Sequence, residues 1–61
     1  SMLPDPEVAA HLGEVLWVTG ERDEAITIWQ EVLSNDPDNS IIRETMERLG
    51  VSNNNSNGSM E

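Results

Sequence analysis

The only histidine of the chain, His11, has a carboxylate about one helical turn away on each side. Glu7 lies four residues before it and Glu14 three residues after it, so a helix would bring the three side chains near one face. Such a group could bind a divalent cation or act as a pH switch, because a neighbouring carboxylate stabilises the protonated imidazole. No other residues are in place to orient these ligands, so we interpret the group as a solvated helical face and predict no metal ion and no cofactor.

A second set of oxygen ligands lies in the segment DPDNSIIRETME, residues 36–47. Its spacing matches that of an EF-hand calcium loop at five positions, namely Asp36, Asp38, Ser40, Glu44 and Glu47. The sixth position of such a loop must be glycine, and here it is Ile41. Because Ile41 also begins an apolar helical pattern, we predict a proline turn followed by a capped helix instead of a calcium site.

The composition offers little for catalysis. Cys, Lys and Tyr are absent, and no glycine-rich phosphate-binding segment is present. The absence of Cys also excludes disulfides and thiolate zinc sites. We therefore predict no catalytic residue and expect that the chain is not an enzyme.

The charge balance limits the possible partners. Twelve acidic residues against three arginines give a net charge of −9. Phosphate backbones and anionic membrane surfaces repel such a chain, and no apolar run approaches the ~18–20 residues that cross a bilayer. We expect a protein or peptide partner, no nucleic acid and no direct membrane insertion.

The fold class indicated by the pattern is all-α, with two longer helices joined by a short turn. The first helix begins after the N-cap Asp5 and ends before Gly20. The second begins at Arg22 or Asp23 and ends before Pro37, because the residue preceding a proline is driven away from helical angles. The residues expected to form a broad buried face on the first helix are Val8, Ala9, Leu12, Val15, Leu16 and Val18.

A third, shorter helix is predicted after the proline turn. Ser40 is its expected N-cap, and Gly50 its expected stop. Its spacing also predicts two ion pairs between residues four apart, Arg43 with Glu47 and Glu44 with Arg48.

Small and large residues between Pro6 and Asn39 follow a definite spacing. Gly13 lies in the first predicted helix and Ala25 in the second, and Trp29 follows one turn after Ala25. This pattern resembles the tetratricopeptide repeat, a 34-residue helix–turn–helix unit, and the resemblance implies that the two helices cross closely at Gly13 and Ala25. The further positions that match the family are Leu12, Leu16, Gly20, Val32 and Pro37.

The resemblance implies a repeat unit at about residues 6–34, followed by a polar capping helix at about residues 40–49. Two residues depart from the family pattern, Ala9 in place of the usual Trp and Leu16 where Tyr is common. Both are apolar, so the departures would loosen the packing without abolishing it.

The resemblance also implies a binding groove on the first helix, lined by Glu7, Ala10, Glu14, Trp17 and Val18. Trp17 and Val18 would be apolar anchors for a partner helix or peptide, since Trp is enriched in binding hot spots. Glu7 and Glu14 would set the charge preference. The alternative for Trp17 is an ordinary core position, packed against the third helix or a dimer mate.

A single repeat lacks the neighbours against which such units bury their faces. The chain would therefore be a piece of a longer array, or it would self-associate by stacking or by helix exchange. Two functions follow as expectations: an adaptor or scaffold module that binds another protein, or a homo-oligomerisation module. A narrower similarity to the last repeat of bacterial cell-envelope proteins favours the periplasmic side slightly over the cytoplasm.

The domain organisation follows from these elements. Residues 1–5 are interpreted as an expression scar and lead-in, residues 6–39 as the repeat and residues 40–50 as the capping helix. Residues 51–61 are rich in Asn, Ser and Gly, and such a composition predicts a disordered tail.

Overall fold

The computed structural model describes residues 5–51 and contains three helices with no strand in that range. Helix α1 spans Pro6–Val18, α2 spans Arg22–Asn35 and α3 spans Ser40–Leu49. The all-α prediction is confirmed. Residues 1–4 of the predicted scar and lead-in, and residues 52–61 of the predicted disordered tail, lie outside the described residues. Of the two remaining residues of these segments, Asp5 caps α1 and Val51 packs against the core.

The start of α1 follows its sequence signals closely. The Asp5 carboxylate accepts hydrogen bonds from the backbone amides of Glu7 and Val8 at 3.0 and 3.4 Å. Pro6 occupies the first helical position, where its missing N–H costs no helical hydrogen bond. Glu7 adds a negative charge to the first turn, which the helix dipole favours.

Glycines in the left-handed region follow α1 and α3. Gly20 has φ +97° and Gly50 has φ +76°. After α3, the amide of Val51 donates to the carbonyl of Met46 at 2.8 Å, which closes a Schellman-type cap. This turn folds the chain back so that Val51 packs against the core.

The N-cap of α3 is Asn39, one residue before the Ser40 that the sequence indicates. The Asn39 side-chain oxygen accepts a hydrogen bond from the amide of Ile42 at 3.0 Å. Ser40 is already the first helical residue. Both residue types are good caps, and the geometry that satisfies the Ile42 amide selects the earlier one.

The core is formed mainly by the contact of α1 with α2, and α3 packs more extensively on α1 than on α2. Trp29 and Ile42 are the largest fully buried side chains. The remaining buried apolar residues are Ala9, Ala10, Ala25, Val32, Leu33 and Met46.

Gly13 gives α2 its close approach to α1. A Cβ atom built on Gly13 would lie 2.2 Å from Nε1 and 2.5 Å from Cε2 of Trp29. Ala25, the second predicted small position, is fully buried in the same core. The space beside Gly13 is therefore filled by the Trp29 indole, so glycine is needed there to admit a large side chain.

Candidate interaction surface

Three large apolar side chains of α1 form an exposed stripe. Val8, Leu12 and Val15 are 58%, 46% and 42% exposed. Their spacing of four and three residues places them on one helical face, which we call the outer stripe. With Asp5, Glu7 and His11 they line a shallow open depression. The prediction that these three residues are buried is wrong, because each of them is exposed.

Small residues occupy the side of α1 that faces the core. Ala9, Ala10 and Gly13 are its buried residues. Val18, also expected in the buried face, is 66% exposed. Apolar residues surround much of this helix, so size decides which of them face inward: only small side chains fit where α2 and its Trp29 come close. The cluster of small residues was the available signal for this orientation.

The predicted groove residues do not form one open surface. Glu7 and Val18 are exposed, whereas Glu14 and Trp17 are half-buried. Ala10 is only 7% exposed and belongs to the core cluster. The packing of α3 on α1 thus occupies part of the face that the resemblance assigns to a partner.

Trp17 makes two aromatic contacts within the chain. Its ring centroid lies 5.9 Å from that of Trp29, with the planes tilted by 38°. The guanidinium carbon of Arg22 lies 4.4 Å from the centroid of the Trp17 ring, within cation–π distance. These contacts join the end of α1 to the start and middle of α2.

Glu14 is held by α3. Both of its carboxylate oxygens accept hydrogen bonds from Arg48, at 3.0 and 3.2 Å. This bidentate hydrogen bond lowers the pKa of the Glu14 carboxyl, and the positive charge of Arg48 acts in the same direction. The same contact raises the pKa of Arg48. Glu14 therefore links two helices and is not a free charge on a groove.

All three arginines of the chain make contacts within it. Arg48 bonds to Glu14, Arg22 lies over Trp17, and Arg43 Nε donates to the backbone carbonyl of Pro37. Glu14–Arg48 is the only salt bridge among residues 5–51. The two local pairs predicted along α3 do not form, because Arg43 and Arg48 have these other partners.

The two cation-binding motifs considered in the sequence are placed differently by the fold. Glu14, one member of the group around His11, is engaged by Arg48. The calcium-like segment contains the start of α3 at Ser40, so its second half is helix. No cluster of three acidic or histidine side chains suited to a metal ion is present in the described part of the chain.

None of the helices between residues 5 and 51 has the length and apolar character needed to cross a membrane. Comparisons with protein-family models, with curated protein sequences and with solved structures find no match to this chain. The three-helix fold is thus established by the structure, while membership of the tetratricopeptide repeat family stays a prediction from the residue pattern.

Proposed function

We propose that this chain is a protein–protein interaction module that packs the outer stripe of α1 against a helix of another protein. The observation that carries the proposal is the exposure of Val8, Leu12 and Val15 on one face of α1. Isolated apolar residues on a surface are ordinary, but aligned ones at helical spacing suit a helix–helix contact. An adaptor or scaffold role would follow from such a contact.

Burial of the outer stripe would contribute a free energy that is substantial for so short a chain. Burying the exposed parts of the three side chains would contribute roughly 2–4 kcal/mol, at about 25 cal/mol per Å² of apolar surface and before the entropic cost of association is subtracted. That amount is large for a domain of this length, whose core rarely supplies more than about 3–5 kcal/mol. The resemblance to helical repeats supports the same surface, since such units bury their faces against neighbours.

The proposed surface differs from the groove expected from the sequence. Ala10, Glu14 and Trp17 already have neighbours within the chain, so they leave little for a partner to contact. The residues of the outer stripe are not part of the core cluster, and 42–58% of their surface is exposed. If the partner binds the outer stripe, substitutions in the stripe should weaken its affinity. If it binds the groove, substitutions in the groove should do so instead.

Two matched substitutions distinguish these surfaces. Val15 belongs to the outer stripe and Val18 to the expected groove, and both are exposed valines of α1. The probe is a synthetic amphipathic helix of about 18 residues with a leucine stripe and Gln flanks, long enough to be helical. We expect Val15→Gln to weaken its binding about fivefold or more in fluorescence anisotropy, and Val18→Gln to leave it unchanged.

Circular dichroism of both variants checks that the fold is retained. Equal affinities of the wild type and Val15→Gln would refute the proposed surface. A loss of affinity seen only in Val18→Gln would show that the peptide binds the groove.

Self-association is a second candidate, favoured by the symmetry of the outer stripe. Val8 lies four residues before Leu12, and Val15 lies three residues after it. In an antiparallel pair of α1 helices, Leu12 would meet its own copy near the twofold axis, and Val8 would meet Val15. Sedimentation velocity over a range of protein concentrations tests this candidate: a dimer that Val15→Gln dissociates supports it, and a monomer at tens of micromolar refutes it.

A further inference from the structure

We infer that the outer stripe of α1 accepts a cationic amphipathic helix, one that carries Lys or Arg beside its apolar residues. This inference rests on the proposed function and adds the chemistry of the partner. It is carried by the acidic border of the stripe and by the way in which the chain uses its own cations.

The depression on the outer stripe has two carboxylates at its border. Asp5 and Glu7 line it together with Val8, Leu12 and Val15, and both acidic residues are exposed. The cap hydrogen bonds hold the Asp5 side chain at the start of α1. A partner helix lying on the stripe would thus place its flanking residues beside fixed negative charge.

No arginine of the described part of the chain is left to neutralise this border, and His11, which also lines the depression, is counted as neutral in the net charge at pH 7. Each of the three arginines has a contact elsewhere: Arg48 with Glu14, Arg22 with Trp17 and Arg43 with the Pro37 carbonyl. Glu14 is the one carboxylate between residues 5 and 51 that forms a salt bridge. A cationic partner would therefore supply the complementary charge that the arginines of the chain do not.

A second copy of the chain would be repelled by this acidic border instead of attracted to it. Each copy carries a net charge of −9, and a twofold contact would bring two acidic surfaces together. Like charges across an interface are costly, whereas opposite charges accelerate encounter and favour one partner over another. Between these two occupants of the stripe, the charges favour the cationic helix.

The test uses three synthetic peptides with the same leucine stripe and with Lys, Gln or Glu at every flanking position. Fluorescence anisotropy measures their affinities for the full chain at about 20 mM and about 500 mM NaCl, which brackets strong and weak screening. We expect the Lys peptide to bind about tenfold or more tightly than the Gln peptide at low salt, and the Glu peptide to bind least tightly. High salt should remove most of the difference between them.

Two variants locate the effect. Glu7→Gln removes a charge at the border of the stripe, and we expect it to reduce the Lys-over-Gln preference about threefold. Glu44→Gln is the matched control, because it removes the same charge from an exposed position of α3 that does not line the depression. The preference should be unchanged in this control.

Each alternative outcome has a definite meaning. Equal affinities of the Lys and Gln peptides, with both weakened by Val15→Gln, would overturn the charge inference and leave the proposed function standing. Binding of the Lys peptide that is indifferent to Val15→Gln would overturn it as well, because the attraction would then be general. A dimer formed through the stripe more tightly than the Lys peptide binds would show that a second copy is the occupant. Failure of all three peptides to bind would refute the proposed function and this inference together.

Discussion

The indole of Trp29 lies against the backbone of Gly13, where a Cβ atom would come within 2.2 Å of its Nε1. Trp29 is fully buried, and its Nε1 has no hydrogen-bond partner within residues 5–51. The fold thus leaves one buried donor unpaired, and it places a large, mostly apolar side chain at the centre of the bundle. The contact joins α1 to α2 more tightly than two ordinary side chains would allow.

Replacing Gly13 with Ala should destabilise the fold. The added methyl group would force the buried ring to move, and overpacking of this kind costs about 1–3 kcal/mol. The better helix propensity of Ala offsets about 1 kcal/mol of that cost, so we expect a net loss of up to about 2 kcal/mol. Urea unfolding followed by circular dichroism measures it, with Ser34→Ala as a control for propensity at an exposed helical position. A stability equal to or above that of the wild type would show that the ring has room to adjust.

Trp29→Phe should relieve the effect of Gly13→Ala. A phenyl ring is smaller than the indole and has no N–H, so it removes the unpaired donor and can move away from the added methyl group more easily, although it leaves unfilled volume in the core. We expect the double variant to be more stable than the sum of the two single changes by about 1 kcal/mol. A double-mutant cycle from urea unfolding gives this coupling energy, and strict additivity would mean that the two residues are not in direct conflict.

Trp17→Ala should act on stability and not on binding. Trp17 contacts Trp29 and Arg22, so its truncation removes half-buried packing worth about 2 kcal/mol, less than the 3–5 kcal/mol typical of a fully buried Trp. Thermal unfolding measures this loss, while the affinity for the Gln-flanked peptide should stay within about twofold of wild type. Val18→Ala, at the next position of the helix, should change neither property. A weakened affinity without a change in melting would instead make Trp17 an anchor of the groove.

The Glu14–Arg48 pair should contribute to stability in a pH-dependent way. Arg48 lowers the pKa of Glu14 below its ordinary value of 4.5, so the folded state favours the ionised carboxyl. A lowered pKa in the folded state gives stability that is present above the ordinary value and is lost as the pH falls through the lowered one. Glu14→Gln should therefore narrow the difference in unfolding free energy between neutral and acidic pH.

Urea unfolding at several pH values measures this difference, with Glu44→Gln as the control that has no such partner. An unchanged pH dependence in Glu14→Gln would show that solvent screens the pair completely.

The helix ends could be predicted from the sequence because they depend on neighbouring residues. Asp5, Gly20, Pro37 and Gly50 each act on the backbone within a turn of their own position. Asn39 was missed because Ser40 beside it is an equally good cap, and only the geometry at Ile42 separates them.

The orientation of α1 could not be read in the same way. Apolar residues lie around most of its circumference, so periodicity alone does not say which side faces the core. The decision depends on Gly13 and on the size of Trp29, which lies on another helix. Arg48 illustrates the same limit. The local sequence predicts an ion pair with Glu44, whereas folding brings Arg48 to Glu14, 34 residues away.

The contact of Trp17 with Trp29 also gives the chain a built-in optical signal. The chain has two Trp residues and neither Tyr nor Phe, so all of its aromatic absorption and emission comes from this pair. With ring centroids 5.9 Å apart and tilted planes, the two chromophores are close enough for their electronic transitions to couple. Near-ultraviolet dichroism and intrinsic fluorescence therefore report directly on whether the first two helices are joined, and no label has to be attached.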